Sequence, residues 1–163
     1  MNLIVLADRH WGIGKDGNQL CYIPEDLKHF KRLTSNHAVI LGRKTLATFP
    51  GGKPLKGRRN MILSGNPNFY VDGAEVYRDL DELLRAAPED AFVIGGGTVY
   101  RQLLSYCNIA YVTRLECVYD ADAFFPNLAI DPAWEYVSGE PAGVHDGVWF
   151  HYDTYKRKCG GIE

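Results

Sequence analysis

The chain's 163 residues, 46% hydrophobic and 23% charged, suit one domain over residues 1–163 that buries roughly two-thirds of its unfolded surface. A net charge of −2 excludes a broad nucleic-acid footprint, which needs a basic patch or stripe. No apolar run approaches the length of a membrane span, and Cys21, Cys107, Cys117 and Cys159 lack C-x-x-C spacing, so no membrane association, zinc site or disulfide framework is expected.

Asn2 to Ala7 reads as a first strand, and a glycine-rich loop runs from Trp11 to Gln19. Pro24-Glu25-Asp26 opens a helix, because proline suits the first helical position and acids favour the first turn. That helix continues through Leu27, Phe30 and Leu33 to Ser35-Asn36. Ala38 to Leu41 is a second strand, running into Gly42-Arg43-Lys44-Thr45 and a short helix to Phe49. Pro50 to Pro54 is a loop, Asn60 to Leu63 a third strand and Glu75 to Tyr77 a fourth. A helix follows over Leu80 to Ala87, then the apolar strand Ala91 to Ile94, three glycines, and a helix opened by Thr98. Ile109 to Leu115 is a further strand. Trp134 to Ser138 and Val148 to Tyr155 alternate in period two around the turn Asp146-Gly147, which predicts a terminal hairpin. The order predicts a three-layer α/β/α fold with a mostly parallel, mixed central sheet and a C-terminal antiparallel hairpin. Every apolar stripe has a place in that sheet or its covering helices, so a monomer is expected. A start with no basic leader, together with unpaired cysteines, predicts a reduced, cytoplasmic chain.

Gly95-Gly96-Gly97 is the most informative motif. Three glycines weaken any regular element, so they read either as a close backbone approach to a phosphate-bearing ligand or as a tight strand-to-helix turn. Gly42-Arg43-Lys44-Thr45 also sits where a strand ends and a helix begins, with free N–H groups, two cations and a hydroxyl. Two such sites point to a ligand with several phosphates, of which a dinucleotide is the simplest. Gly12-Ile13-Gly14-Lys15-Asp16-Gly17 matches G-x-G-x-x-G, but no helix opens at its glycines, so it is not a dinucleotide fingerprint. It reads instead as a loop able to close over a site.

Asp26 shares a helical stripe with Phe30 and Leu33. It is either an ordinary first-turn acid or a part-buried carboxyl whose proton affinity is raised by desolvation. The five histidines form no ligand spacing and no nucleophile–base set, and no metal is expected.

Along nearly its whole length the chain resembles the dihydrofolate reductases. The resemblance rests on Trp11-Gly12-Ile13-Gly14, on Ile23-Pro24-Glu25-Asp26-Leu27 with Phe30-Lys31 and Thr34, and on Leu41-Gly42-Arg43-Lys44-Thr45. It continues through Leu55-Lys56-Gly57-Arg58-Arg59-Asn60, Ile94 to Tyr100, Tyr111-Val112-Thr113, and Asp122 with Phe125-Pro126.

The resemblance implies reduction of 7,8-dihydrofolate to tetrahydrofolate by hydride transfer from NADPH, supplying one-carbon metabolism. It implies that Asp26 pairs with the pterin and Thr113 orients it. Val5, Leu6, Ala7, Ile94 and Tyr100 would complete the pterin pocket. Leu27, Phe30, Lys31, Phe49 and Leu55 would wall the aminobenzoyl group, and Arg58 would grip the glutamate carboxylate. For NADPH it implies Ala7, Ile13, Gly14, Asn18 and Leu20 at the nicotinamide, with Gly42, Thr45, Gly95, Gly96, Gly97, Thr98, Val99 and Tyr100 along the pyrophosphate. Arg43, Lys44, Leu63 and Ser64 would surround the adenosine 2′-phosphate. The same pocket is expected to take antifolate inhibitors. Leu20-Cys21 stands where many relatives have Pro-Trp, and Thr98 where some carry a basic residue, which leaves the 2′-phosphate to Arg43 and Lys44. Two other readings stand beside this one: an NADPH-dependent pterin or pyrimidine reductase on the same fold, and a nucleotide-binding module without chemistry.

Overall fold

The structure is a computed structural model that describes residues 1–159; the remainder of the 1–163 expectation lies outside the described residues. Its strands are β1 (Asn2–Ala7), β2 (Gly12–Gly14), β3 (Ala38–Gly42), β4 (Arg59–Leu63), β5 (Ala74–Tyr77), β6 (Phe92–Gly95), β7 (Ile109–Leu115), β8 (Ala123–Phe124), β9 (Trp134–His145) and β10 (Val148–Arg157). The helices are α1 (Pro24–Thr34), α2 (Arg43–Ala47), α3 (Leu80–Ala86) and α4 (Gly97–Leu103). Eight strands form one sheet in the order β5-β4-β3-β6-β1-β7-β10-β9. From β5 to β7 every pairing is parallel; β10 then runs antiparallel to both β7 and β9.

Period two along the strands divides the sheet into two apolar faces. Leu3, Val5, Ile40, Met61, Val93 and Val112 point to one side, where they meet Leu83 of α3 and Val99, Tyr100 and Leu103 of α4. Ile4, Val39, Leu41, Ile62 and Phe92 point to the other, against Phe30 and Leu33 of α1 and Leu46 of α2. The central strands are buried on both faces, which is why they read as unbroken apolar runs in the sequence. The three layers are as expected.

Two expectations need correction. The segment from Trp11 to Gln19 is not all loop, because its first part is β2, which pairs with β8 in a small second sheet. The hairpin is also longer than its alternation suggested, reaching His145 on β9 and Arg157 on β10. Gly139, Pro141 and Gly143 interrupt the apolar pattern of β9, but the strand tolerates them because it is the sheet's edge.

Asp8 organises the loop that follows β1. Its carboxylate has no exposed surface and accepts the N–H groups of His10 and Gly12 through Oδ1 and of Tyr119 through Oδ2. Gly14 accepts the N–H of Asp122, whose own Oδ2 accepts the N–H of Asp16. The glycine loop is thereby tied to the segment between β7 and β8.

Candidate active site

The carboxyl ends of parallel strands leave a crevice where ligands bind in open α/β sheets. Here Val5 and Leu6 end β1, Gly42 ends β3, Leu63 ends β4, and Ile94 and Gly95 end β6, and all of them line one cavity of about 710 Å³. That volume suits a nucleotide-sized ligand. Its floor is glycine. A Cβ at Gly96 would stand 3.0 Å from Thr45 Oγ1, and one at Gly42 would stand 3.2 Å from Val99 Cγ2. Gly95 has a φ of 134°, a conformation open to glycine and strained for other residues. Glycine backbone therefore packs directly against the side chains of Thr45 and Val99 where α2 and α4 begin.

One end of the cavity is cationic and polar, lined by Arg43, Lys44, Ser64, Asn66 and Arg78. The guanidinium of Arg43 lies 5.9 Å from the centre of the Phe69 ring. Arg78 donates to the carbonyls of Asn66 and Phe69, so both arginines brace the loop after β4. The other end, at Val5, Leu6, Ile13, Ile94 and Ala123, is apolar. Gly14, Asn18, Gly97, Thr98, Val99 and Tyr100 also line it. The Tyr100 hydroxyl is buried and donates to the Ile4 carbonyl at 2.6 Å, and burial drives its pKa strongly upward.

Asp26 and Thr113 stand beside this cavity rather than in its wall. Thr113 pairs with Leu6 across β7 and β1, and its hydroxyl donates to Asp26 Oδ1 at 2.6 Å. Burial raises the pKa of Asp26; the Thr113 hydrogen bond opposes that rise and does not cancel it. Asp26 is both an acid in the first turn of α1 and a part-buried carboxyl, so the two readings left open for it coincide in one residue. The apolar wall runs outward from there. Phe30, Phe49, Leu55, Ile94 and Tyr111 pack against the same core cluster. Arg58 lies with its guanidinium 5.9 Å from the Phe30 ring centre and donates to the Thr34 hydroxyl at 3.1 Å. Leu27 and Lys31 are exposed on α1.

Two expected cofactor residues, Ala7 and Leu20, are not in the cavity wall; Ala7 has no exposed surface and belongs to the core. Conversely, Thr48, Gly65, Asn66, Arg78, Leu80 and Gln102 line the cavity although the sequence reading passed over them. For Arg78 a signal existed, since it follows the end of the parallel strand β5. Cys21 packs with Cys117 and Tyr119 against Ile23, Leu115 and Phe150. Burial pushes its thiol up, against a hydrogen bond from the Tyr119 hydroxyl that lowers it. Among the described residues no group of three or more His, Cys, Asp or Glu side chains could hold a metal ion, and no helix is long and apolar enough to cross a membrane.

A family model described as dihydrofolate reductase matches residues 1–157. The dihydrofolate reductase of Bacillus subtilis (strain 168) is 34% identical over 162 residues, covering 97% of this chain and 95% of that protein. That of Mycobacterium leprae (strain TN) is 38% identical over 152 residues, covering 89% of this chain and 90% of its own. Among solved structures, a dihydrofolate reductase from Enterococcus faecalis complexed with NADP(H) and RAB-propyl superposes with a TM-score of 0.86 at 32% identity, covering 97% of this chain and 96% of that one.

Proposed function

The chain belongs to the dihydrofolate reductase family, and from that premise we propose that it reduces 7,8-dihydrofolate to 5,6,7,8-tetrahydrofolate with NADPH. The observation that carries this reading is a part-buried carboxyl, Asp26, held by Thr113 beside a glycine-floored cavity with a cationic end. NADPH fits that cavity: Thr45 and the glycines at 95–97 would hold its pyrophosphate, and Arg43, Lys44 and Ser64 its 2′-phosphate. When bound it supplies the hydride that reduces the substrate's C6.

The chain's own residues handle binding and the proton. Asp26 pairs with the amino edge of the pterin, and Thr113 fixes the carboxyl's orientation from behind. Because burial raises its proton affinity, Asp26 keeps a proton near the pterin at a pH where a solvated carboxyl has lost it. That favours protonation at N5, and proton handling of this kind is typically worth about 10²–10⁴ in rate. Val5, Leu6 and Ile94 give the pterin apolar contacts, and Leu27, Phe30, Phe49 and Leu55 wall the aminobenzoyl group. Arg58, steadied by Phe30 and Thr34, receives the glutamate carboxylate. Ile13, Gly14 and Asn18 belong to the tethered loop that keeps water from the reacting atoms. The same pocket would accept antifolates, and the chain would act as a cytoplasmic monomer.

The deciding experiment follows NADPH absorbance on addition of dihydrofolate to purified protein, with NADH and a substrate-free blank alongside. Rapid oxidation that needs dihydrofolate and prefers NADPH is expected. Tight NADPH binding without oxidation would remove the pterin role of Asp26 first.

A further inference from the structure

The histidines lack any ligand spacing, yet one of them sits one helical turn from the acid. Asp26 and His29 are three residues apart on α1 and therefore neighbours on one face. The His29 ring stacks on Tyr152 of β10, with centroids 3.8 Å apart and planes inclined by 10°. Tyr152 lies directly opposite Thr113 in the antiparallel pair β10–β7. Directly opposed side chains share a sheet face, so Tyr152 and Thr113 present adjacent side chains to α1. The helix is thus joined to the sheet at two adjacent points: Asp26 to Thr113 by a hydrogen bond, and His29 to Tyr152 by a stack.

We propose that His29 is a positioning residue for Asp26: its stack on Tyr152 fixes the first half of α1 over β7 and β10, keeping the Asp26–Thr113 hydrogen bond assembled and closed to water. The inference rests on the proposed proton-handling role of Asp26. The charged and titratable groups around the pair fit it. Glu140, directly opposite Tyr152 on β9, favours the cationic form of the imidazole; Arg32 on α1 disfavours it. Burial chiefly, and Arg32 after it, lower the pKa of His29, so at neutral pH an uncharged ring lies on Tyr152, one helical turn from the acid. Burial chiefly raises the pKa of the Tyr152 hydroxyl, Asp26 and Glu25 add to the rise and Arg32 opposes it; Cys21, also raised chiefly by burial, feels Asp26 as well. A flat, uncharged pair at this place keeps solvent from a carboxyl whose function depends on staying dry.

The test titrates Asp26 directly in ligand-free protein, by carbon-13 NMR of aspartate side-chain carboxyls, with Asp26→Asn providing the assignment. In His29→Ala the Asp26 midpoint should fall toward the ordinary aspartate range. Turnover of dihydrofolate should drop about tenfold, short of the roughly 10²-fold that a misplacement of about 1 Å can cost. Since reduction consumes a proton, the pH at which turnover declines should move down together with that midpoint. His29→Phe, which keeps a flat ring on Tyr152, should restore all three. Tyr152→Leu approaches the same stack from β10 and should reproduce His29→Ala, which covers a failure of the first variant to fold. An Asp26 midpoint in His29→Ala and Tyr152→Leu that coincides with the parent's overturns the inference, as does a His29→Phe variant no better than His29→Ala. A parent that does not oxidise NADPH with dihydrofolate would refute the functional reading, while the NMR titration would still decide this one.

Discussion

Thr113 donates its hydroxyl to Asp26 Oδ1 at 2.6 Å, across 87 positions of the chain. The bond joins the sheet to a helix whose carboxyl would otherwise be desolvated with no partner. It also sets a limit. Burial raises Asp26's proton affinity, and Thr113 holds that rise in check. In Thr113→Val the carboxyl loses the group that stabilises its charged form, so its titration midpoint should move further up, read by carboxyl NMR. Turnover should fall, because the acid also loses its orientation.

Asp26→Asn should separate activity from stability. The folded carboxyl has a higher pKa than the unfolded one, so between the two values the folded state binds more protons and stability declines as pH rises. Asparagine removes that cost while still reaching Thr113. The variant should melt above the parent at about pH 8, with the gap closing at about pH 3, below the ordinary aspartate pKa. Its turnover should be cut by roughly 10²-fold or more at neutral pH and recover partly in acid, where substrate arrives protonated. An unchanged rate at neutral pH contradicts the role given to Asp26.

Arg58→Leu should weaken dihydrofolate binding and leave NADPH affinity alone, because Arg58 stands with Phe30 and Thr34, away from the glycine-floored cavity. Separate titrations of the two ligands read the difference. Equal losses for both would mean damaged folding.

Gly96→Ala tests the cavity floor. Its Cβ would stand 3.0 Å from Thr45 Oγ1, so either the threonine or the start of α4 must shift. NADPH affinity should fall by about tenfold or more while the Asp26 titration stays put, since the clash lies at the phosphate end.

Asp8→Ala should cost about 3 kcal/mol of stability, because one buried N–H, that of Gly12, and two part-buried ones, those of His10 and Tyr119, lose a charged acceptor together. Denaturant unfolding measures the loss. Proteolysis should then cut first between residues 9 and 20, where the tether to Tyr119 has gone.

Much of the fold was readable because the parallel strands are buried on both faces, and the glycines at 42 and 95–97 stop them where helices begin. The part that escaped notice depends on distant partners. β2 and β8 have three and two residues and acquire strand geometry only from each other. Asp8 resembles an ordinary turn acid until Tyr119, 111 residues on, supplies the third N–H. In the site, the apolar stripe on α1 drew attention to Asp26 but left two readings of it open, and Arg78 could be read from the end of β5, whereas Asn66 enters the cavity through the path of a loop that no periodicity announces. His29 gave no signal of its own, since its partner lies on β10 and its effect on the acid passes through the sheet register.

The position of β1 in the middle of the sheet carries a consequence for biosynthesis. Asn2 pairs with Phe92 on one side and Ile109 on the other, so β1 gains its first sheet neighbour only after about ninety further residues have been made. At a synthesis rate of roughly 5–20 residues per second, this apolar segment stays unpaired for several seconds while β3 to β6 are translated. Chaperone capture on stalled nascent chains should therefore be strongest before β6 emerges and should subside once β7 has cleared the exit tunnel.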